Sequence, residues 1–482
     1  MKKTFKKLFA ALLAAALVLA MAVPAFAETN APKGSITISK TVKDETYTIY
    51  RMFKLDSYNA ESNTYSYTVE SDWEGFFKTG AGGNYITLDG QNHPTWTAAD
   101  ENDSTTVAAF AKAALAWAAD KKISGTKETA TGDTVTFSNL DLGYYLVDSS
   151  LGALCGLNTT NPNATIKEKN EKPEIKKEVQ TSTGDWGDKN NAKIGDTVEY
   201  KVEITVADGA QTYTVYDTMS TGLTFNSGSL KVTANDVVTT DYTLTPTTNG
   251  FTLVLPETYV STLTKGTTIM VTYNATLNKD AVIDGDGNTN EVKLGYGNHQ
   301  NTVPSKVTTK SYQFDLVKVD GTANEGGTHT LLNGAEFKLY ETKTSDTALR
   351  FVKNADGSYR VALNTENGEN VTDTIVVNGK VHISGLDKVN YWLDETRAPD
   401  GYNKLTERQE VKLSEGSQNA TLETGATTWA EGNGGVVVEN NAGTVLPGTG
   451  GMGTTLFYVI GGGLMVAAVV LLVTKKRMEH KN

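Results

Sequence analysis

Apolar and polar residues alternate along most of this chain. From Val198 to Val206 every second position is apolar (Val198, Tyr200, Val202, Ile204, Val206), and the same period returns at Ile269, Val271, Tyr273, Ala275 and Leu277. A period of two gives a strand one face for a core and one for water, so each run predicts a β-strand. Many such runs, broken by clusters of Gly, Asn, Asp and Thr, predict antiparallel sandwiches and an all-β fold class. One segment departs from the pattern. Val107 to Lys122, rich in Ala and carrying Phe110, Leu115 and Trp117, predicts a helix inserted in the first domain, with Asp103 or Ser104 as its cap. Two other stretches, Leu8 to Val23 and Leu456 to Val473, are continuously apolar.

Those two stretches define the ends. Lys2, Lys3, Lys6 and Lys7 precede the first, and Ala25-Phe26-Ala27 follows it, the layout of an export signal cleaved after residue 27. The second spans about 18 residues, just enough to cross a bilayer as a helix. Lys475, Lys476 and Arg477 after it hold that end in the cytoplasm, which leaves the body outside. Just before the span stands Leu446-Pro447-Gly448-Thr449-Gly450. Pentapeptide, span and basic tail in this order resemble the cell-wall sorting signal of Gram-positive surface proteins. The resemblance implies that a sortase cleaves between Thr449 and Gly450 and passes the Thr449 carbonyl to an amine. A plain membrane-anchored ectodomain is the simpler alternative.

The chain has 482 residues, too many for one ordinary domain, and three domains are the natural division. Lys167 to Pro173 and His299 to Thr309, the latter with Pro304, read as linkers between strand-rich blocks. The expected organisation is a signal peptide (1–27), three tandem immunoglobulin-like β-sandwiches (28–171, 172–307 and 308–441) and a sorting segment with its transmembrane helix (442–482). The net charge is −12, and without the two ends it becomes 36 cations against 55 acids. That balance excludes nucleic acid as a partner, because phosphate binding needs clustered Lys and Arg. The lone Cys155 cannot close an intrachain disulfide.

The third block carries the most informative residues. It opens with Phe314-Asp315-Leu316-Val317-Lys318-Val319-Asp320 and continues with Leu332-Asn333-Gly334-Ala335-Glu336-Phe337. It then has Tyr391-Trp392-Leu393-Asp394-Glu395-Thr396-Arg397-Ala398-Pro399-Asp400-Gly401-Tyr402 and closes with Val436-Val437-Val438-Glu439-Asn440. This resembles the isopeptide-forming, collagen-adhesin B-type domains of Gram-positive surface proteins. The resemblance implies a spontaneous amide between Lys318 and Asn440, assisted by Glu395. The chemistry is coherent: burial lowers a lysine pKa and raises a carboxyl pKa, giving a neutral nucleophile and a proton donor. Fixed proximity then offsets the poor reactivity of a side-chain amide. Taken singly, Lys318, Glu395 and Asn440 would read as surface, strand-edge and turn residues.

The middle block has Pro173-Glu174-Ile175-Lys176-Lys177-Glu178-Val179, Tyr216-Asp217-Thr218-Met219 and Gly287-Asn288-Thr289-Asn290-Glu291-Val292. It resembles the second domain of backbone pilins, where an Asp takes the acid's part. Alternation puts Ile175, Lys177 and Val179 on one face, so Lys177 rather than Lys176 points inward. The implied set is Lys177 and Asn290 with Asp217. In the first block Lys40, Asp148 and Asn170 form a fainter third set, for which ordinary strand-edge polar residues are the plainer reading. From leader to tail the chain resembles sortase-assembled backbone pilins, whose acceptor lysine lies late in the first domain. Here that stretch is Thr165-Ile166-Lys167-Glu168-Lys169-Asn170, which points to Lys169 as the intersubunit acceptor, with Lys167 and Lys172 as alternatives.

Enzyme chemistry on an external substrate has no support. His93, His299, His329, His382 and His480 are scattered and form no metal-ligand spacing, so no metal or other cofactor is expected. Asp284 to Asn290 faintly resembles a calcium loop but has Thr289 where that loop needs Gly and Gly295 where it needs Glu, so a polar turn is expected. Two function classes remain. One is the major structural subunit of a covalent pilus on the Gram-positive cell surface. Its partners are sortase, identical subunits joined head to tail, and peptidoglycan or a basal pilin, with a tip pilin beyond. The other is a wall-anchored adhesin or minor pilin that binds a host ligand through its first domain.

Overall fold

The computed structural model describes residues 33–59, 64–97, 104–149, 152–159, 163–168, 171–209, 211–297, 300–443 and 453–479. The expected signal peptide, Asp103, Lys169, Asn170 and the pentapeptide Leu446 to Gly450 lie outside them. Strands dominate, as the alternation requires. In the first domain Lys33–Ser39 runs between Asn163–Lys167, parallel, and Thr134–Asp141, antiparallel. A second sheet holds Thr64–Val69, Thr46–Asn59, Gly143–Ser149 and Gly152–Thr159 in that order. Ile36, Ile38, Tyr47, Ile49, Val135, Phe137 and Val147 fill the space between them.

The inserted helix runs Ser104–Asp120, three residues earlier than the apolar pattern places its start. Ser104 is its first helical residue rather than a cap. Its buried face, Phe110, Ala111, Ala114 and Ala118, packs on Met52, Phe53, Trp73, Phe76 and Phe77 in a core separate from the sandwich. The small Ala residues let the helix approach this aromatic floor closely.

In the middle domain Glu174–Gln180 pairs with Thr197–Thr205, which pairs with Thr268–Leu277, all antiparallel. The facing sheet orders Ser305–Lys310, Asn288–Tyr296, Tyr213–Met219 and Gly250–Leu255. All ten residues of the two alternating runs named above are buried between the sheets. The boundary at 307 needs correction. Val307 is paired to Asn290 inside the strand Ser305–Lys310, and Ser311 alone separates that strand from the next domain's first strand, Tyr312–Ala323.

That first strand of the third domain lies antiparallel to Lys380–Leu386 and parallel to Val436–Asn440. Asn333–Tyr340 pairs with Asn390–Arg397, which pairs with Gln409–Lys412. Phe314, Leu316, Phe337, Leu339, Ile383, Tyr391, Leu393 and Val438 form the core.

The domains are joined through their cores. Ile194, from a middle-domain turn, is buried in the core of the third domain, and its N–H donates to the Gly385 carbonyl at 2.9 Å. Gly385 has φ +84°, and a Cβ there would come within 2.6 Å of Ile194, so glycine makes the seat. At the other joint Val42 packs on the middle-domain core, and Tyr296 Oη donates to the buried Glu45 at 3.0 Å. Gly453–Glu479 is a helix, and its stretch 457–479 holds an 18-residue window of mean hydropathy 2.3, long and apolar enough to cross a membrane.

Two buried lysine centres as the candidate functional site

Lys177 sits on a strand whose odd-numbered residues face the core, and its side chain is 0% exposed. Register explains its company. Lys177 stands opposite Val202, and the neighbouring strands place Tyr200 opposite Tyr273. Across the core, Asp217 and Asn290 project from the paired strands Tyr213–Met219 and Asn288–Tyr296, where Met219 faces Asn290. One sheet thus supplies the amine and the other supplies the acid and the amide.

The Lys177 Nζ donates to Asn290 Oδ1 at 2.6 Å and also contacts Asp217 Oδ2 and Tyr273 Oη. Tyr273 Oη donates to Asp217 Oδ2 at 2.5 Å and accepts from Asn290 Nδ2 at 3.1 Å. The walls are aromatic, with Lys177 Nζ 5.4 Å from the Tyr200 ring centre and 5.1 Å from that of Tyr273. Burial pushes the Lys177 pKa down and the Asp217 pKa up, each toward its neutral form, although their mutual attraction opposes both shifts. A neutral amine against an amide beside a protonated acid is the arrangement that amide exchange requires.

The third domain builds a comparable centre with different topology. Lys318 and Asn440 lie on adjacent parallel strands, Lys318 beside Val438 and Asp320 beside Asn440. Lys318 Nζ donates to the Val438 carbonyl at 2.9 Å and lies 3.9 Å from Glu395 Oε1. Glu395 Oε2 accepts from Asn440 Nδ2 at 3.0 Å and from the Leu405 N–H at 2.8 Å. Asn440 Nδ2 also donates to the Asn403 carbonyl at 2.5 Å. Burial lowers the Lys318 pKa from 10.5 to about 8.

The first domain assembles no such centre among its described residues. Alternation after Ile36 and Ile38 would point Lys40 inward, but the strand ends at Ser39 and Lys40 turns at φ 60° into solvent. Lys40 therefore stands outside the buried core that such a set would need. Asp148 is half-buried on the strand Gly143–Ser149, opposite Thr48. Lys167 is exposed at the end of Asn163–Lys167, and Lys172 lies 3.6 Å from Glu45. No group of three or more His, Cys, Asp or Glu side chains among the described residues is placed to hold a metal.

Some participants escaped the sequence reading. Tyr273 was legible only as an inward strand residue, and nothing local marks its hydroxyl as the meeting point of three side chains. The Leu405 N–H and Asn403 carbonyl are backbone groups of a loop and carry no side-chain signal.

The middle and third sandwiches each bury a lysine, an acid and an asparagine in a dry core. Residues 194–300 match the family described as Gram-positive pilin backbone subunit 2, Cna-B-like domain, and residues 313–428 match the SpaA prealbumin-like fold domain. The middle domain therefore carries a Gram-positive pilin backbone domain and the third a prealbumin-like domain. The chain is 26% identical over 297 residues to the trypsin-resistant surface T6 protein of Streptococcus pyogenes serotype M6, covering 54% of this chain and 49% of that one. It thus spans about half the length of that relative. The solved T6 backbone pilin of serotype M6 Streptococcus pyogenes, described as a modular three-domain structure, superposes with a TM-score of 0.52 at 20% identity over 80% of each chain. That likeness is one of fold.

Proposed function

We propose that this protein is the repeating shaft subunit of a covalent surface pilus, welded internally by Lys177–Asn290 and Lys318–Asn440 amide bonds. The observation that carries the reading is the 2.6 Å approach of the wholly buried Lys177 amine to Asn290, with Asp217 at hand. A buried ammonium without a purpose is costly, and two in one chain, each beside an acid and an Asn, have a common explanation in bond formation. Each bond would close a loop of about 110 to 120 residues, restricting the unfolded chain by roughly 4 to 5 kcal/mol on the loop-closure model. Unlike a disulfide, the link is not reducible.

In this reading a sortase transfers the Thr449 carbonyl of one subunit to Lys169 of the next, producing a head-to-tail fibre that does not close into a ring. The terminal helix holds each precursor at the membrane until transfer, and the last subunit passes to peptidoglycan or a basal pilin. Intact-mass measurement of the ectodomain 28–449 tests the proposal. Two bonds make it lighter by two ammonias than the sum of its residues, and a mass equal to that sum refutes internal welding.

A further inference from the structure

We propose that Tyr273 is a catalytic residue of the Lys177–Asn290 condensation, relaying the proton of Asp217 to the departing nitrogen of Asn290. The inference rests on the reading that these two side chains condense. It starts from a difference between the two centres. In the third domain the acid reaches the leaving group itself, since Glu395 Oε2 accepts directly from Asn440 Nδ2 at 3.0 Å. In the middle domain the acid is one methylene shorter. Among the described residues Asp217 hydrogen-bonds Lys177 and Tyr273 through Oδ2, its Oδ1 is buried without a partner, and neither oxygen bonds Asn290.

Condensation nevertheless requires one proton to travel from the lysine nitrogen to the amide nitrogen. Tyr273 Oη occupies the gap, 2.5 Å from Asp217 Oδ2 and 3.1 Å from Asn290 Nδ2. Its position is fixed on all sides. The ring stacks on Tyr200 at 5.5 Å and meets Phe251 and Phe225 edge-on at 5.0 and 5.7 Å. Burial holds its phenol pKa well above 10, so it keeps its proton until one is demanded.

The atoms balance. Lys177 Nζ bonds to Asn290 Cγ, and the carbonyl electrons move to Oδ1. The amide nitrogen then loses its conjugation and regains a lone pair, so the Tyr273 hydrogen bond to it reverses direction. Tyr273 gives its proton to Nδ2, the Cγ–Nδ2 bond breaks, the carbonyl reforms and ammonia departs. Asp217 reprotonates Tyr273 and recovers a proton from Nζ, leaving both as they began. Tyr200 cannot substitute. Its hydroxyl faces Asn290 and lies 3.4 Å from Thr309 Oγ1, but it makes no hydrogen bond to Asp217 and so has no proton supply.

The test is timed cell-free synthesis of the ectodomain, acid quenching and mass spectrometric mapping of both cross-linked peptides. Tyr273→Phe should slow the Lys177 bond by about 10²-fold or more, the usual contribution of a general acid. The Lys318–Asn440 bond in the same molecules should form at the parental rate, and Tyr200→Phe should slow the Lys177 bond far less than Tyr273→Phe does. A parental rate at Lys177 in Tyr273→Phe, or equal slowing in Tyr200→Phe, overturns the relay while leaving the bond itself standing. Absence of the Lys177 bond from the parent overturns the underlying reading instead. Should Tyr273→Phe not fold, site-specific 3-fluorotyrosine at 273 keeps the shape and acidifies the phenol. The rate at Lys177 must then change, and an unchanged rate overturns the relay.

Discussion

An Asn440→Ala chain keeps Lys318 as an unreacted amine in the same apolar socket, and its stability must then depend on pH in a way the parent's does not. The folded pKa is about 8 against 10.5 for an ordinary lysine. Below pH 8 the amine is protonated in both states, and folding carries the full cost of burying a charge. Between 8 and 10.5 only the unfolded chain holds the proton, so stability rises with pH; above 10.5 the cost has gone. At about 1.4 kcal/mol per pKa unit the total gain is about 3 kcal/mol. In the parent the nitrogen is an amide that does not titrate, and the rise is absent. Pulse proteolysis in urea from pH 7 to 10.5, with third-domain fragments identified by mass, measures it. Tyrosine ionisation is common to all variants and cancels in the comparison, and Asn440→Ala/Lys318→Met supplies a reference with neither bond nor amine. If the parent climbs in parallel with Asn440→Ala, it contains no bond. If Asn440→Ala tracks the double variant, burial does not depress this lysine.

Asp217→Ala should leave the ectodomain one ammonia heavier than the parent and remove roughly 4 kcal/mol of chain restriction from the middle domain, read by mass and by denaturant midpoint. Lys169→Arg should abolish the high-molecular-weight ladder in boiled cell-wall extracts while anchoring through Thr449 persists; an unchanged ladder moves the acceptor to Lys167 or Lys172. Ile194→Ala empties a seat in the core of the third domain, a loss of about 2 to 5 kcal/mol by analogy with other buried truncations. Small-angle scattering should then register a broader spread of end-to-end lengths, and an unaltered profile would show that Ile194 does not fix the joint.

Much of the arrangement was readable because strand parity is a strong constraint. Ile175, Lys177 and Val179 share a face by period alone, and a lysine among aliphatic residues on a buried face announces unusual chemistry. Lys40 was less legible, because its strand ends at Ser39 and a single left-handed residue turns it outward. Ser305 to Lys310 failed for another reason. With Val307 as its one aliphatic residue and Pro304 before it, the segment resembles a linker, and its strand conformation comes from pairing with Asn288 to Val292. Tertiary pairing overrode local preference there. Tyr273 lay beyond reach because a hydroxyl's partners are set by three strands brought together from distant parts of the chain.

The parallel placement of Lys318 beside the closing strand Val436–Asn440 also bears on how the proposed fibre would withstand proteolysis. Once those side chains are joined, the covalent route through the third domain enters near Tyr312, crosses at Lys318 and leaves at Asn440, and nothing between residues 319 and 439 belongs to it. A peptidase that nicks an exposed turn such as Thr342 to Thr347 would therefore cut the polypeptide without severing the filament. The intervening segment is released from any duty of continuity, and changes in its outer turns carry no penalty to the unbroken strand of bonds beneath.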